Sequence, residues 1–212
     1  FSFENPREGW VLVAAEGPAG PGLRLDNEAE ALVWRRHPVT GAFEAMRFLR
    51  EGTHRLCGDA ASVGMLRVST VPELAFCYYP SSRYMPSYGP YNWEFMNRYV
   101  LSEVNALVSR SDVPVAEFEQ WRREGRRWIG NASLPGLSAA EAPAANAVYT
   151  EWAGNPGLAA PGYSGVMVDE FLDADEAHYA SWLGAIARLR AEPANADRMF
   201  YAWCGNLFAF KT

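Results

Sequence analysis

The run Ser164-Gly165-Val166-Met167-Val168-Asp169-Glu170-Phe171 constrains this chain more than any other segment. It reads as a short buried β-strand that runs out into two adjacent carboxylates, with a helix starting almost at once. Parallel α/β barrels present their chemistry at that position, because side chains at the C-terminal strand ends converge on one face. An acidic pair there is expensive to desolvate unless something uses or neutralises it. Alternation along the strand sends Asp169 and Glu170 to opposite faces, so at most one of them points squarely into a barrel mouth.

The surrounding chain has the rhythm of such a fold. Glu73 to Tyr79, Asn105 to Val108, Arg127 to Asn131, Gly165 to Phe171 and Met199 to Cys204 read as strands. Helical patterns separate them. Asn92 to Val104 carries Trp93, Met96, Val100 and Val104 along one side, and a second helix opens at Pro114 with Phe118 and Trp121 inward. Ser138 and Glu141 have capping-box spacing and start a third helix that runs toward Trp152. In the fourth, with Asp173 and Glu176 as capping residues, Tyr179, Trp182, Leu183, Ile186 and Leu189 form the inner stripe.

Five strands alternating with four helices build a parallel sheet through right-handed crossovers. No Gly-rich phosphate loop follows the first strand, so a (β/α) barrel is expected over an open doubly wound sheet. A complete eight-fold barrel takes about 250 residues, whereas only about 140 of the 212 residues follow position 71. The expectation is a TIM-type barrel present in part, over 72–212, truncated after its fifth strand.

Residues 1–71 have a different texture. Trp10 to Ala15, Leu23 to Leu25, Ala31 to Trp34, Phe43 to Leu49 and Met65 to Val68 are short extended candidates. Gly-, Pro- and Asn-containing turns punctuate them. The even spacing predicts a small antiparallel β-sandwich. Trp10, Trp34, Trp121 and Trp182 are expected in cores.

Several function classes are disfavoured. A net charge of −6, a pI near 5.2 and the absence of any Lys/Arg run argue against a nucleic-acid surface. No apolar stretch approaches the roughly 18 residues of a membrane span. Walker, G-x-S-x-G and HExxH motifs are missing. Cys57, Cys77 and Cys204 are odd in number and widely spaced, and His37, His54 and His178 are scattered, so neither a metal site nor a cofactor is expected. Three buried thiols are expected, with one disulfide plus a free thiol as the alternative. The chain opens on Phe1 without a basic or apolar leader, which fits either a removed signal peptide or a trimmed terminus.

Candidate site residues gather at the strand ends. A carboxylic acid partly desolvated by aromatic neighbours can act as general acid, and glycoside hydrolysis needs two carboxyl groups flanking the bond. Tyr79, Tyr88 and Trp93 bracket the loop after the first parallel strand and offer faces on which sugar rings stack. Asn131 ends the third strand, and Trp203 and Asn206 follow the fifth, where they could bind hydroxyl groups. Such residues also serve as ordinary turn and half-buried packing residues.

A β-sandwich followed by a barrel with a carboxylate ending strand four resembles the large clan of (β/α)₈ glycoside hydrolases. That resemblance implies Glu170 as general acid/base, with Asp169 standing where the clan usually has Asn. The clan's nucleophile ends a seventh strand, which is not seen in this chain. The phrases "ENPREGW", "EAMRFL", "PYNWEF" and "VDEF" are also similar to those of secreted bacterial proteins without an assigned activity. The implied function is a glycoside hydrolase acting on a polysaccharide or oligosaccharide, secreted or at a bacterial cell surface. The alternative is a non-catalytic carbohydrate-binding or cell-surface module.

Overall fold

The computed structural model describes residues 1–17, 20–58, 63–78, 92–109, 115–171 and 174–204. It is a mixed α/β protein in which antiparallel sheets come first and five parallel strands alternating with helices follow.

The antiparallel part holds β1 (Ser2–Asn5), β2 (Gly9–Glu16), β3 (Arg24–Leu25), β4 (Arg35–Arg36), β5 (Phe43–Leu49), β6 (Gly52–Cys57) and β7 (Met65–Val71). Two sheets form, β1-β6-β3 and β4-β5-β2-β7. Strand β2 is central, paired with β5 on one edge and β7 on the other, and its Val11 and Val13 face inward. They share one core with Ala45 and Leu49 of β5, Leu25 of β3 and Leu56 of β6, so the two sheets pack face to face as a sandwich.

Two strands here escape a hydrophobic-pattern search. Strand β6, Gly-Thr-His-Arg-Leu-Cys, buries only Leu56, and β1 buries only Asn5. Ala31 to Trp34 is not a strand. Leu32 is buried in the core through a backbone bond to Leu23, and Arg35–Arg36 makes the pairing instead.

The parallel part holds β8 (Ala75–Tyr78), α1 (Trp93–Tyr99), β9 (Ala106–Ser109), α2 (Val115–Arg123), β10 (Arg127–Ala132), α3 (Ala145–Ala153), α4 (Pro156–Ala159), β11 (Gly165–Val168), α5 (Glu176–Ala191) and β12 (Met199–Ala202). The strand order is β12-β11-β10-β9-β8, strictly sequential. The chain therefore winds in one direction, without the reversal that creates the crevice of a doubly wound sheet.

The chain divides into two compact units, the first made of Phe1–Leu107 and Val113–Arg127, the second of Val108–Asp112 and Trp128–Thr212. In the first, Arg126 is buried against the Trp121 ring at 4.9 Å, and its Nη1 donates to the carbonyls of Leu101 and Val104 at 2.5 and 3.2 Å. Burial pushes that guanidinium down to about 10.

In the second unit, Val166 and Val168 of β11 meet Val148 and Trp152 of α3 and Trp182, Ala185 and Leu189 of α5. Each buried indole N–H finds an acceptor: Trp128 the Ser109 hydroxyl at 2.8 Å, Trp152 the Ser133 carbonyl at 3.1 Å, and Trp182 the Pro135 carbonyl at 2.9 Å. Helix α3 starts at Ala145, not at the Ser138 capping box, because Pro143 would fall inside a helix begun there. Helix α5 is capped by Asp175, whose Oδ1 accepts the His178 amide at 2.9 Å. It turns His178, Ser181, Trp182, Ala185 and Leu189 inward and leaves Leu183 58% exposed, so Leu183 is not part of the inner stripe.

No disulfide links Cys57, Cys77 and Cys204, and none of the three is buried. This corrects the expectation of buried thiols: Cys57 follows the buried Leu56 and falls on the face of β6 that Thr53 and Arg55 turn to water. No helix among the described residues is long and apolar enough to cross a membrane.

Candidate functional site

The C-terminal ends of β10, β11 and β12 stand side by side in register. Asn131 lies beside Met167 and Met167 beside Tyr201, followed by Ala132, Val168 and Ala202. Two backbone bonds carry the pairing one residue further, from the Asp169 amide to the Ala132 carbonyl at 2.8 Å and from the Trp203 amide to the Val168 carbonyl at 2.9 Å. Beyond that point the ladder changes. In a regular parallel pair the Trp203 carbonyl would accept from Glu170, two residues after Val168. It accepts instead from Phe171, at 2.8 Å.

One extra residue has been inserted, and it is Glu170. Its φ of +59° lies in the left-handed region, which a side chain with a Cβ enters at a cost of about 1–2 kcal/mol. The arrangement is a β-bulge, a device found at barrel rims and beside active sites because it re-aims a side chain.

The bulge resets the alternation. Val166 and Val168 face the helices, so an unbroken strand would send Glu170 into that core and Phe171 away from it. With the extra residue, Phe171 takes the helix-side place, its ring 5.6 Å from Trp182 and 6.5 Å from Trp152. Glu170 is left exposed. The strand thus ends at Val168, not at Phe171, and the two carboxylates are not related by simple alternation.

Asp169 is half-buried and keeps the face of Met167 and Asn131. Among the described residues, no side-chain hydrogen bond or ion pair holds Asp169 or Glu170. Asp26 is the other non-glycine with positive φ among them, and it has local reasons: Oδ1 accepts the Arg55 amide and Oδ2 meets His54 Nδ1, each at 2.7 Å. Nothing comparable holds Glu170.

The remaining candidates fall in three groups. Asn131 belongs to the rim, and its carbonyl accepts from Asn155 Nδ2 at 3.0 Å. Its own Nδ2 is buried without a partner among the described residues. Trp203, 53% exposed, stands level with Asp169 on the neighbouring strand end. Trp93 lies in the first unit, half-buried, edge-on to Tyr78 at 5.8 Å and to Trp121 at 6.3 Å, which is a packing arrangement. Tyr79, Tyr88 and Asn206 lie outside the described residues.

A cleft of about 440 Å³ opens on the helix side of β10, a feature that strand-end reasoning misses. Gly130, Ser109, Ser133, Trp152, Asn155 and Tyr163 line it, with Asn131, Ala132, Glu151 and Pro156 completing the wall. Asp169, Glu170 and Trp203 do not line it. The sequence carries a partial signal in Asn155-Pro156-Gly157, a cap with proline at the first helical position. Burial pushes the Tyr163 phenol above its ordinary value.

Among the described residues, no group of three or more His, Cys, Asp or Glu is placed to hold a metal ion. No protein-family model matches the sequence, and a comparison with curated proteins finds no significant match.

Proposed function

We propose that this chain acts on carbohydrate at the rim formed by β10, β11 and β12, with Glu170 as the general acid/base of a glycoside hydrolase. The observation that carries the reading is the bulge. A carboxylate is held in a costly backbone conformation, exposed, without a partner among the described residues, at the C-terminal end of a parallel strand.

In this reading Glu170 delivers a proton to the glycosidic oxygen, and Asp169 supports it or substitutes for it. Trp203, 53% exposed, offers an indole face for a sugar ring. The chain would work as a secreted or cell-surface bacterial protein.

Hydrolysis of a polysaccharide panel, read as new reducing ends, tests the assignment. Glu170→Gln should lower turnover by about 10²–10⁴-fold on any glycan the parent cleaves; unchanged turnover would remove Glu170 from the mechanism. The exposed Trp203 also suits a non-catalytic carbohydrate-binding module, because stacking needs no proton transfer. That second reading predicts glycan binding without turnover, unaffected by Glu170→Gln.

A further inference from the structure

We infer that the cleft on the helix side of β10 is a second binding site, one that takes a neutral polyhydroxylated molecule of one or two sugar rings. It is independent of Glu170. Its volume of about 440 Å³ lies within the range of small-molecule sites, roughly 300–1,000 Å³.

The fold builds the concavity with glycine. A Cβ on Gly130 would lie 2.6 Å from Asn155 Oδ1 and 2.8 Å from the Gly157 nitrogen, so the α4 backbone comes down directly onto the strand. Asn155 is locked in place by both ends of its amide: Oδ1 accepts the Gly157 N–H at 2.8 Å and Nδ2 donates to the Asn131 carbonyl at 3.0 Å. The floor is therefore rigid and preformed, which reduces the ordering cost of binding.

The lining chooses the ligand. Ser133 and Tyr163 bring hydroxyl groups, and the raised phenol keeps its proton through the physiological range. Pro156, which is exposed, and the half-buried Tyr163 ring supply apolar surface against which C–H groups pack. No Lys, Arg or His lines the wall among the described residues, so a phosphate or carboxylate group would be desolvated without a counter-charge. Glu151 is the one acidic lining residue among them, it is exposed, and it accepts hydroxyl hydrogens at the rim. Alternating hydroxyl and C–H surfaces match that wall.

The test is a ¹⁵N–¹H NMR titration of the full chain with glucose, galactose and xylose in turn, with glucose 6-phosphate as the charged control. The expected result is a saturable shift of the Gly130 and Asn155 amides by at least one neutral sugar, with a dissociation constant on the order of 1 mM. Tyr163→Phe should weaken it by at least about fivefold. Ser133→Phe, on an exposed position at the mouth, should abolish it while the rest of the spectrum stays dispersed. Glu170→Gln should leave it unchanged, which separates this site from the rim whatever the fate of the hydrolase reading. The proposal fails if no neutral sugar moves those amides in a saturable way, if glucose 6-phosphate binds as tightly, or if binding survives Ser133→Phe in a folded variant.

Discussion

The Trp203 carbonyl oxygen lies 2.8 Å from the Phe171 amide nitrogen, at the place where an unbroken ladder would present Glu170. That single displaced hydrogen bond fixes three things together. Phe171 enters the core of the second unit, Glu170 leaves the sheet, and the backbone at Glu170 adopts φ +59°.

The strain at Glu170 gives a stability prediction opposite in sign to the functional one. Glycine adopts positive φ at little steric cost, although it gives up more chain entropy on folding. Glu170→Gly should raise the unfolding free energy by about 0.5–1 kcal/mol and abolish hydrolysis. Denaturant midpoints and reducing-end assays on the same preparation check both. A less stable glycine variant would mean that the Glu170 side chain makes a contact that compensates its backbone.

Two glycines in the second unit should respond oppositely to alanine. A Cβ on Gly157 would lie 2.3 Å from the Gly165 carbonyl oxygen, so Gly157→Ala should cost about 1–3 kcal/mol through displaced backbone. Gly184 lies inside α5, where a Cβ would meet only the Ala145 methyl at 3.4 Å, and Gly184→Ala should gain about 0.5–1 kcal/mol from helix propensity. Thermal unfolding separates them, since about 1 kcal/mol moves the midpoint by roughly 2–4 °C in a chain of this size.

His54 makes the stability of the antiparallel unit depend on pH. Its Nδ1 lies 2.7 Å from Asp26 Oδ2 and its Nε2 2.9 Å from the Arg50 carbonyl, and only the imidazolium donates to both. The Asp26 hydrogen bond, followed by that to the Arg50 carbonyl, holds His54 above 6.5. On Asp26, burial acts to raise the carboxyl, but the hydrogen bonds from His54 and the Arg55 amide outweigh it and hold the group below 3.8. The raised histidine stabilises the fold fully below pH 6.5, and that contribution disappears as pH climbs through its folded value. The depressed Asp26 stabilises above pH 3.8 and is lost as pH falls through its own folded value. Stability should therefore decline above pH 6.5, and His54→Gln should flatten that decline. Urea midpoints from about pH 5 to about pH 9 decide it, and equal slopes in parent and variant would sink the idea.

The parallel strands were legible in the sequence because each carries a run of apolar residues between helical stripes, and Val166, Val168, Trp152 and Trp182 meet as that pattern implies. The antiparallel strands were legible only where one face is apolar. Thr53, His54 and Arg55 build β6 through backbone pairing, and their side chains give no hydrophobic signal. The acidic pair was visible as a position but not as a geometry. Period-two reasoning assumes an intact ladder, and the inserted residue is recorded in hydrogen bonds, not in residue type. The cleft was hidden for a related reason: it depends on Gly130, Gly157 and Gly165 lying together, and these come from three separate elements.

The bulge has one more consequence, which concerns chain length. Removing Glu170 altogether would hand the Trp203 carbonyl to Phe171 in ordinary register and leave Phe171 on the side it already occupies. Within this sheet, the strand end carries one residue more than its pairing requires. A chain shortened by that residue should keep its fold, its buried indoles and its cleft, and lose only the chemistry proposed for the rim.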